Sequence, residues 1–342
     1  MEVAVSRRPL LLVLAHGILG WGEPAGGDNQ LNEYYYGVRP FLEREYGKRD
    51  DLSLTIIAPT VQAAESVAVR GQDLTVAIRE AIDKMPHQTR VHIIAHSMGG
   101  LDARWVIAEG SLTDRIDSLT TIATPHQGTT LGYLAHSLRD AIPLIAADLG
   151  NIDDLIQDIG ARARDLFSRS PGGRPSLQPA HFECLRHLLN NLVDHSTPAQ
   201  LERGLYALTL KGAEEFNSKL AATERAIREG AAHRVAYFSY GGVMSPESGP
   251  LLKPSSDLMS WFGTAQEQQV GNDGAVSVWS AHFPWDETGH HYMETLPYDH
   301  FSQINWRIPD TRPSEDMPAD LQAVYRNMMN RILSIAPQQR ST

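Results

Sequence analysis

The sequence predicts an α/β fold, a mostly parallel central sheet flanked by helices, and three observations carry that prediction. Leu10 to Ala15, Leu52 to Ala58 and Ser118 to Ala123 are apolar and β-branched runs of the kind found in strands buried on both faces. Leu74, Ala77, Ile78, Ala81, Ile82 and Met85 recur at helical spacing, so Gly71 to Met85 reads as an amphipathic helix stopped by Pro86. The third observation is Val91 to Gly100, where a strand-like run ends in a serine boxed by small residues and turns at once into a helix-like run.

Taken in order, the first strand ends at His16-Gly17, and the loop Gly20 to Gly37 follows with Trp21, Gly26-Gly27 and Tyr34-Tyr35-Tyr36. Such a loop either walls a pocket or packs on the surface. The second strand closes at Pro59, the amphipathic helix leads to the strand entering Ser97, and the helix after that serine runs to about Gly110. Ser118 to Ala123 stops at Thr124-Pro125-His126-Gln127-Gly128. From there to about Glu229 the β signal nearly vanishes. Leu131 to Phe167 and His181 to Val193 read as helices, split by the breaker-rich Ser170-Pro171-Gly172-Gly173-Arg174-Pro175. Residues 129–230 are therefore expected to form a helical cap or lid inserted between two strands, above their C-terminal ends. Val235 to Tyr240 resumes the sheet, the aromatic-rich stretch Trp279 to Tyr298 reads as loop, and a last helix is expected near Asp320 to Ile335. The whole chain, 1–342, reads as one domain carrying that insertion.

Composition narrows the function classes. A formal net charge of −11, with no basic cluster larger than a pair such as Arg7-Arg8, argues against nucleic-acid partners and a polybasic membrane anchor. The lone Cys184 excludes an intramolecular disulfide. No stretch approaches the ~20 apolar residues that a transmembrane helix needs. The apolar run Leu10 to Ala15 is too short for a signal peptide and lacks a cleavage site, so the chain as written is expected to be cytoplasmic. Secretion would require a signal outside it.

Ser97 in Ala95-His96-Ser97-Met98-Gly99 has the form of a nucleophile elbow, a strand-to-helix turn so sharp that its neighbours must be small. Its usual pattern is G-x-S-x-G, and Ala95 departs from it by one methyl. A serine nucleophile needs a base and an acid to orient that base, in the chain order Ser, acid, His. The last histidine, His300, is the natural base; His282, His290 and His291 compete with it and, with Asp286, hint at zinc, although their spacing fits no familiar ligand pattern. For the acid, Asp273 sits in the turn Asn272-Asp273-Gly274, with Asp299 and Asp257 as rivals. Backbone N–H groups of Met98, after the nucleophile, and of Ile18, in the loop His16-Gly17-Ile18, are candidates for an oxyanion hole.

Leu14 to Gly22, Ile93 to Gly100, Thr120 to Thr130, Tyr206 to Thr209 with Gly212-Ala213-Glu214, Asn272 to Val276 and Asp299-His300-Phe301 together resemble, in order, segments of the bacterial true lipases (triacylglycerol lipases) of the α/β-hydrolase superfamily. The resemblance implies an α/β-hydrolase fold, a triad of Ser97, Asp273 and His300, and oxyanion donors Ile18 and Met98. Ala95 is itself familiar from lipases of bacilli. Several departures bear on cofactors. The thermophilic relatives carry a zinc-binding insertion whose histidines are missing from Thr60 to Leu74, so no zinc is expected. Ser302 stands where many relatives have an acidic calcium ligand, which speaks against calcium, and no other cofactor is implied.

The expected function is a serine carboxylic-ester hydrolase, a lipase acting on acylglycerols, with a lipid or ester substrate met at a lipid–water interface. An acyltransferase using the same acyl-enzyme, a short-chain carboxylesterase and a non-catalytic binding protein on this fold are the alternatives.

Overall fold

The computed structural model describes residues 7–18, 20, 34–137, 196–230, 234–245, 248, 252–285, 290–306 and 317–335. Their strands are β1 (Arg8–Ala15), β2 (Leu52–Ile57), β3 (Arg90–His96), β4 (Ile116–Ile122), β5 (Ala236–Gly242) and β6 (His291–Leu296). Every neighbouring pair is parallel, and the sheet order is β2-β1-β3-β4-β5-β6. The helices, in chain order, are α1 (Val38–Tyr46), α2 (Val67–Ile82), α3 (Gly99–Glu109), α4 (Thr130–Ser137), α5 (Pro198–Ala207), α6 (Leu210–Glu229), α7 (Lys253–Phe262), α8 (Ala265–Gln269), α9 (Val278–Ala281) and α10 (Ala319–Ser334).

Strand alternation explains why β1 is apolar from Leu10 to Ala15. Leu10, Leu12 and Leu14 face a core shared with Phe41 and Leu42 of α1 and Tyr325, Met328 and Ile332 of α10. Leu11, Val13 and Ala15 face the other way, onto Leu74 and Ile78 of α2 and Val106 and Ile107 of α3. Both faces are buried, each large apolar side chain contributing about 1.5–3 kcal/mol of burial energy. In register, Ala15 of β1 lies beside Ala95 of β3, and Ala95 beside Thr121 of β4. The loops leaving these strand ends therefore converge at one edge of the sheet, where open α/β folds place their ligands.

The structure shifts several sequence expectations. α2 begins at Val67, four residues before Gly71, because that glycine is a packing position inside the helix; a Cβ there would sit 2.5 Å from the Trp105 ring. β6 lies within the stretch expected to be loop. It is an edge strand of which only Leu296 is buried, so it lacks the apolar run that marks the buried strands. α1 is equally inconspicuous, a nine-residue helix entered through left-handed Gly37. Of the expected insertion, α4, α5 and α6 are helical, while residues 138–195, with most of both expected helices, lie outside the described residues, as do residues 21–33 of the early loop. Among the described residues no helix is long and apolar enough to cross a membrane.

Candidate active site

Ser97 occupies the turn between β3 and α3 with a positive φ of 54°, a backbone conformation that costs energy for any residue but glycine. Two features hold it there. Its N–H donates to the Ile122 carbonyl at 2.9 Å, and the turn closes only because Gly99 lacks a side chain; a Cβ would lie 2.6 Å from the carbonyl oxygens of Ala15 and His16. Ala95 is fully buried between β1 and β4.

His300 follows β6 and is brought to the serine from 203 positions away. The Ser97 hydroxyl lies 3.0 Å from its Nε2, in position to donate to it, and its Nδ1–H donates to Oδ2 of Asp273 at 2.9 Å. The backbone of the pair is tied too, because the His300 N–H donates to the Asp273 carbonyl at 2.9 Å. Asp273 is fully buried, and its Oδ1 accepts the N–H groups of Ala275 at 3.0 Å and Val276 at 2.8 Å. Gly274, at φ 94°, makes the turn that aims those donors back at the carboxylate, and its own N–H donates to the Asn272 side chain. The three side chains named from the sequence thus meet in hydrogen-bonded order.

The rivals are engaged elsewhere. Asp299 turns its carboxylate into the next turn, accepting from the N–H groups of Phe301 and Ser302 and from the Ser302 hydroxyl. Asp257 pairs with Lys253 along α7. His282 stacks on Tyr292, His291 stacks on Phe238, and His290 packs edge-on against Phe283 and Trp285. Among the described residues no three metal-ligating side chains converge; Asp286 lies outside them.

Comparison with known proteins agrees with this architecture. Residues 62–138 match the family described as "PGAP1-like alpha/beta domain". A triacylglycerol lipase of Pseudomonas fragi is 25% identical over 309 residues, 88% of each chain. Triacylglycerol lipase 2 of Saccharomyces cerevisiae is 34% identical over 105 residues, 29% of each chain. The crystal structure of Staphylococcus hyicus lipase superposes with a TM-score of 0.55 at 20% identity, covering 98% of this chain and 97% of that one. The chain has the α/β-hydrolase fold.

The two candidate oxyanion donors are Met98, next to Ser97 in the chain, and Ile18, next to Gly17, which approaches Ser97 closely. Met98 is the N-cap of α3, and among the described residues neither its N–H nor that of Ile18 has a protein acceptor. The Ile18 side chain packs on Ala64, Leu201 and Leu205 on one side and on Met98 and Leu208 on the other. Gly17 allows the loop to approach, since a Cβ there would sit 2.7 Å from the Ser97 Cβ.

Four residues that hold this arrangement escape sequence reasoning. Arg70, fully buried, donates to the carbonyls of His16 at 3.0 Å and Gly17 at 3.2 Å, and to those of Gln62 and Ala63. It also pairs with Asp102 in the first turn of α3, at 2.8 Å. One guanidinium therefore ties the loop at His16 and Gly17 to the helix that follows Ser97. Its only sequence signal is its place on the apolar stripe of α2. Burial pushes the Asp102 carboxyl up to about 6 against the pull of Arg70. His96 donates from Nε2 to the His300 carbonyl at 2.9 Å, which leaves Nδ1 to accept the Tyr34 hydroxyl at 2.7 Å. Burial, and then the neighbouring His300, hold its pKa well below the usual histidine range. His16, which the sequence places in the candidate oxyanion loop without a role for its ring, accepts the Val61 N–H at Nε2 and donates from Nδ1 to the Gly17 carbonyl. Burial, aided by Arg70, lowers it to about 3.

Proposed function

We propose that this protein is a serine carboxylic-ester hydrolase, a lipase for acylglycerols, with Ser97 as nucleophile, His300 as base and then acid, and Asp273 orienting the imidazole. The observation that carries the reading is the continuous path from the Ser97 hydroxyl through both ring nitrogens of His300 to Asp273, at 3.0 and 2.9 Å. The names borne by its relatives support a lipid ester as substrate.

In the first half-reaction the Ser97 Oγ attacks the ester carbonyl carbon as its proton passes to Nε2 of His300. The carbonyl π pair moves onto oxygen, where the N–H groups of Ile18 and Met98 receive the negative charge. Collapse re-forms the carbonyl and breaks the bond to the alkoxy oxygen, which takes the proton from Nε2 and leaves as alcohol. Water then repeats the sequence on the acyl-serine, giving the acid and restoring the hydroxyl. Asp273 accepts the Nδ1–H and so orients the ring with Nε2 as the free lone pair facing the serine.

A series of p-nitrophenyl esters from acetate to palmitate, together with emulsified triolein, tests this assignment. Rising activity with chain length and turnover of triolein are expected; activity confined to acetate and butyrate would make the protein a short-chain esterase. Ser97→Ala should lose roughly six orders of magnitude in kcat, as subtilisin does without its serine. Retained turnover in that variant would end the serine-hydrolase reading. Product analysis with added glycerol distinguishes hydrolysis from acyl transfer, and labelling by a fluorophosphonate distinguishes an enzyme from a binding protein.

A further inference from the structure

We propose that Gln303 is a positioning residue for the reaction: its side-chain amide locks the Asp273 carboxylate against His300. The inference rests on the proposed roles of Ser97, Asp273 and His300. Gln303 is fully buried on the 3-10 turn Ser302–Ile304, three residues beyond the imidazole. Its Nε2 donates at 2.8 Å to Oδ2 of Asp273, the same oxygen that takes the His300 Nδ1–H, and reaches the Asp299 carbonyl at 3.4 Å.

The place for this amide is built from three elements. On β5, Gly242 leaves the space free; a Cβ there would collide with the Gln303 Nε2 and lie 2.9 Å from the Asp273 Cβ. From α10, the Tyr325 hydroxyl donates to the Gln303 backbone carbonyl at 3.0 Å and fixes the turn. The orientation of the amide follows from Asp273, because the reverse orientation would set a carbonyl oxygen against a carboxylate. That choice leaves the Gln303 Oε1 buried with no partner among the described residues, a polar group whose desolvation is uncompensated within the protein. Such a cost marks the donor end of the amide as the part that matters.

The chemical consequence concerns rotation and charge. With Ala275 and Val276 on Oδ1 and with His300 and Gln303 on Oδ2, the carboxylate cannot turn away from Nδ1. Glutamine supplies a donor without adding charge. A glutamate there would set a second carboxylate beside the first and add negative charge next to the imidazole. The other titratable groups facing the pair leave this role open. The His96 ring centroid lies 4.5 Å from that of His300, with Tyr34 behind it, and Asp299 is turned into its own N–H donors. Among the described residues no lysine or arginine pairs with Asp273.

The test uses the full chain with Gln303→Met, which keeps length and volume but removes the donor, and Gln303→Glu, which reverses the charge logic. For Gln303→Met we expect kcat on p-nitrophenyl butyrate to fall about ten- to hundredfold, the range of a lost hydrogen bond to a charged group. KM should stay within about twofold, because the amide bonds Asp273 and takes no part in holding substrate. The acidic limb of the kcat/KM profile should move to higher pH in both variants, and further in Gln303→Glu. The same shift should appear in the 15N titration of the His300 ring, which needs no turnover. If Gln303→Met does not fold, Gln303→Glu carries the test. Loss of thermal stability with kcat, limb and ring titration all unchanged would overturn the proposal. Ser97→Ala assayed in parallel separates that outcome from a failure of the serine-hydrolase reading, because the ring titration stands whatever the serine does.

Discussion

Nε2 of His96 donates to the backbone carbonyl of His300 at 2.9 Å, across a sequence separation of 204. The residue immediately before Ser97 thus grips the chain at the imidazole, and the two ends of the Ser97–His300 contact are held together from behind as well as through the hydrogen bond itself. Tyr34, donating to the other ring nitrogen, fixes which face of His96 does this.

His96→Phe should therefore damage more than packing. It keeps a ring in place but removes the donor to His300 and strands the Tyr34 hydroxyl, at a cost of about 1–3 kcal/mol in stability. We expect kcat to fall about tenfold or more while KM changes little, since the base drifts before the substrate site does. Urea unfolding and steady-state kinetics on one ester check both parts; an unchanged kcat would dismiss the clamp.

Arg70 offers a separable test of the candidate oxyanion loop. Arg70→Met alone leaves the Asp102 carboxyl buried without its partner and should cost about 3–5 kcal/mol. The double variant Arg70→Met/Asp102→Leu removes both charges and should recover most of that stability. It should not recover kcat, because the carbonyls of His16 and Gly17 have still lost their common donor. Full recovery of both would reduce Arg70 to a structural ion pair.

Asp273→Asn and Asp299→Asn form a matched pair. The first should lower kcat by about 10⁴-fold through the wrong imidazole tautomer. The second alters a carboxylate that bonds only its own turn, and should leave kcat within a few fold while lowering Tm slightly. The reverse ranking would move the acid to Asp299.

Acid should destabilise the fold through its buried histidines. Burial lowers His16 and His92 to about 3, and holds His96 and His126 well below the usual range. Below pH 6.5 the unfolded chain binds protons that the folded chain refuses, so stability falls with pH from about 6.5 toward 3. At pH 5, His16 and His92 each account for about 2 kcal/mol. Asp102 acts in the opposite sense: with its folded pKa raised to about 6, the folded state takes up a proton that the unfolded carboxylate does not until about 4, offsetting roughly 1 kcal/mol. Urea midpoints at pH 7.5 and 5.0 should show a clear net loss at the lower pH, and equal midpoints would contradict it.

The legible parts of this protein were those written in local pattern. Strands buried on both faces are rich in apolar and β-branched residues, and β1, β3 and β4 are recognised on that basis, their buried polar members such as His92, Ser118 and Thr121 being hydrogen-bonded. The elbow needs small residues at fixed offsets from its serine, so Ser97 stands out within ten residues. Of the two edge strands, β2 keeps an apolar stripe at Leu52, Leu54 and Ile56 and was legible, whereas β6, His291–Leu296, has no such stripe and escaped. Asp273 had to be weighed against Asp299 and Asp257, since an aspartate in a turn looks the same whether it faces an imidazole or its own backbone.

The sequence by itself determined the parallel α/β architecture and the strand-to-helix elbow at Ser97, because hydrophobic period and turn chemistry act between near neighbours. Only the tertiary structure decided which aspartate meets the ring, and that Arg70, His96 and Gln303 hold the parts in register. Their partners lie 54, 204 and 30 positions away. A hydrogen bond is specified to a few tenths of an ångström, and no spacing along the chain encodes a distance that the whole packed sheet must close.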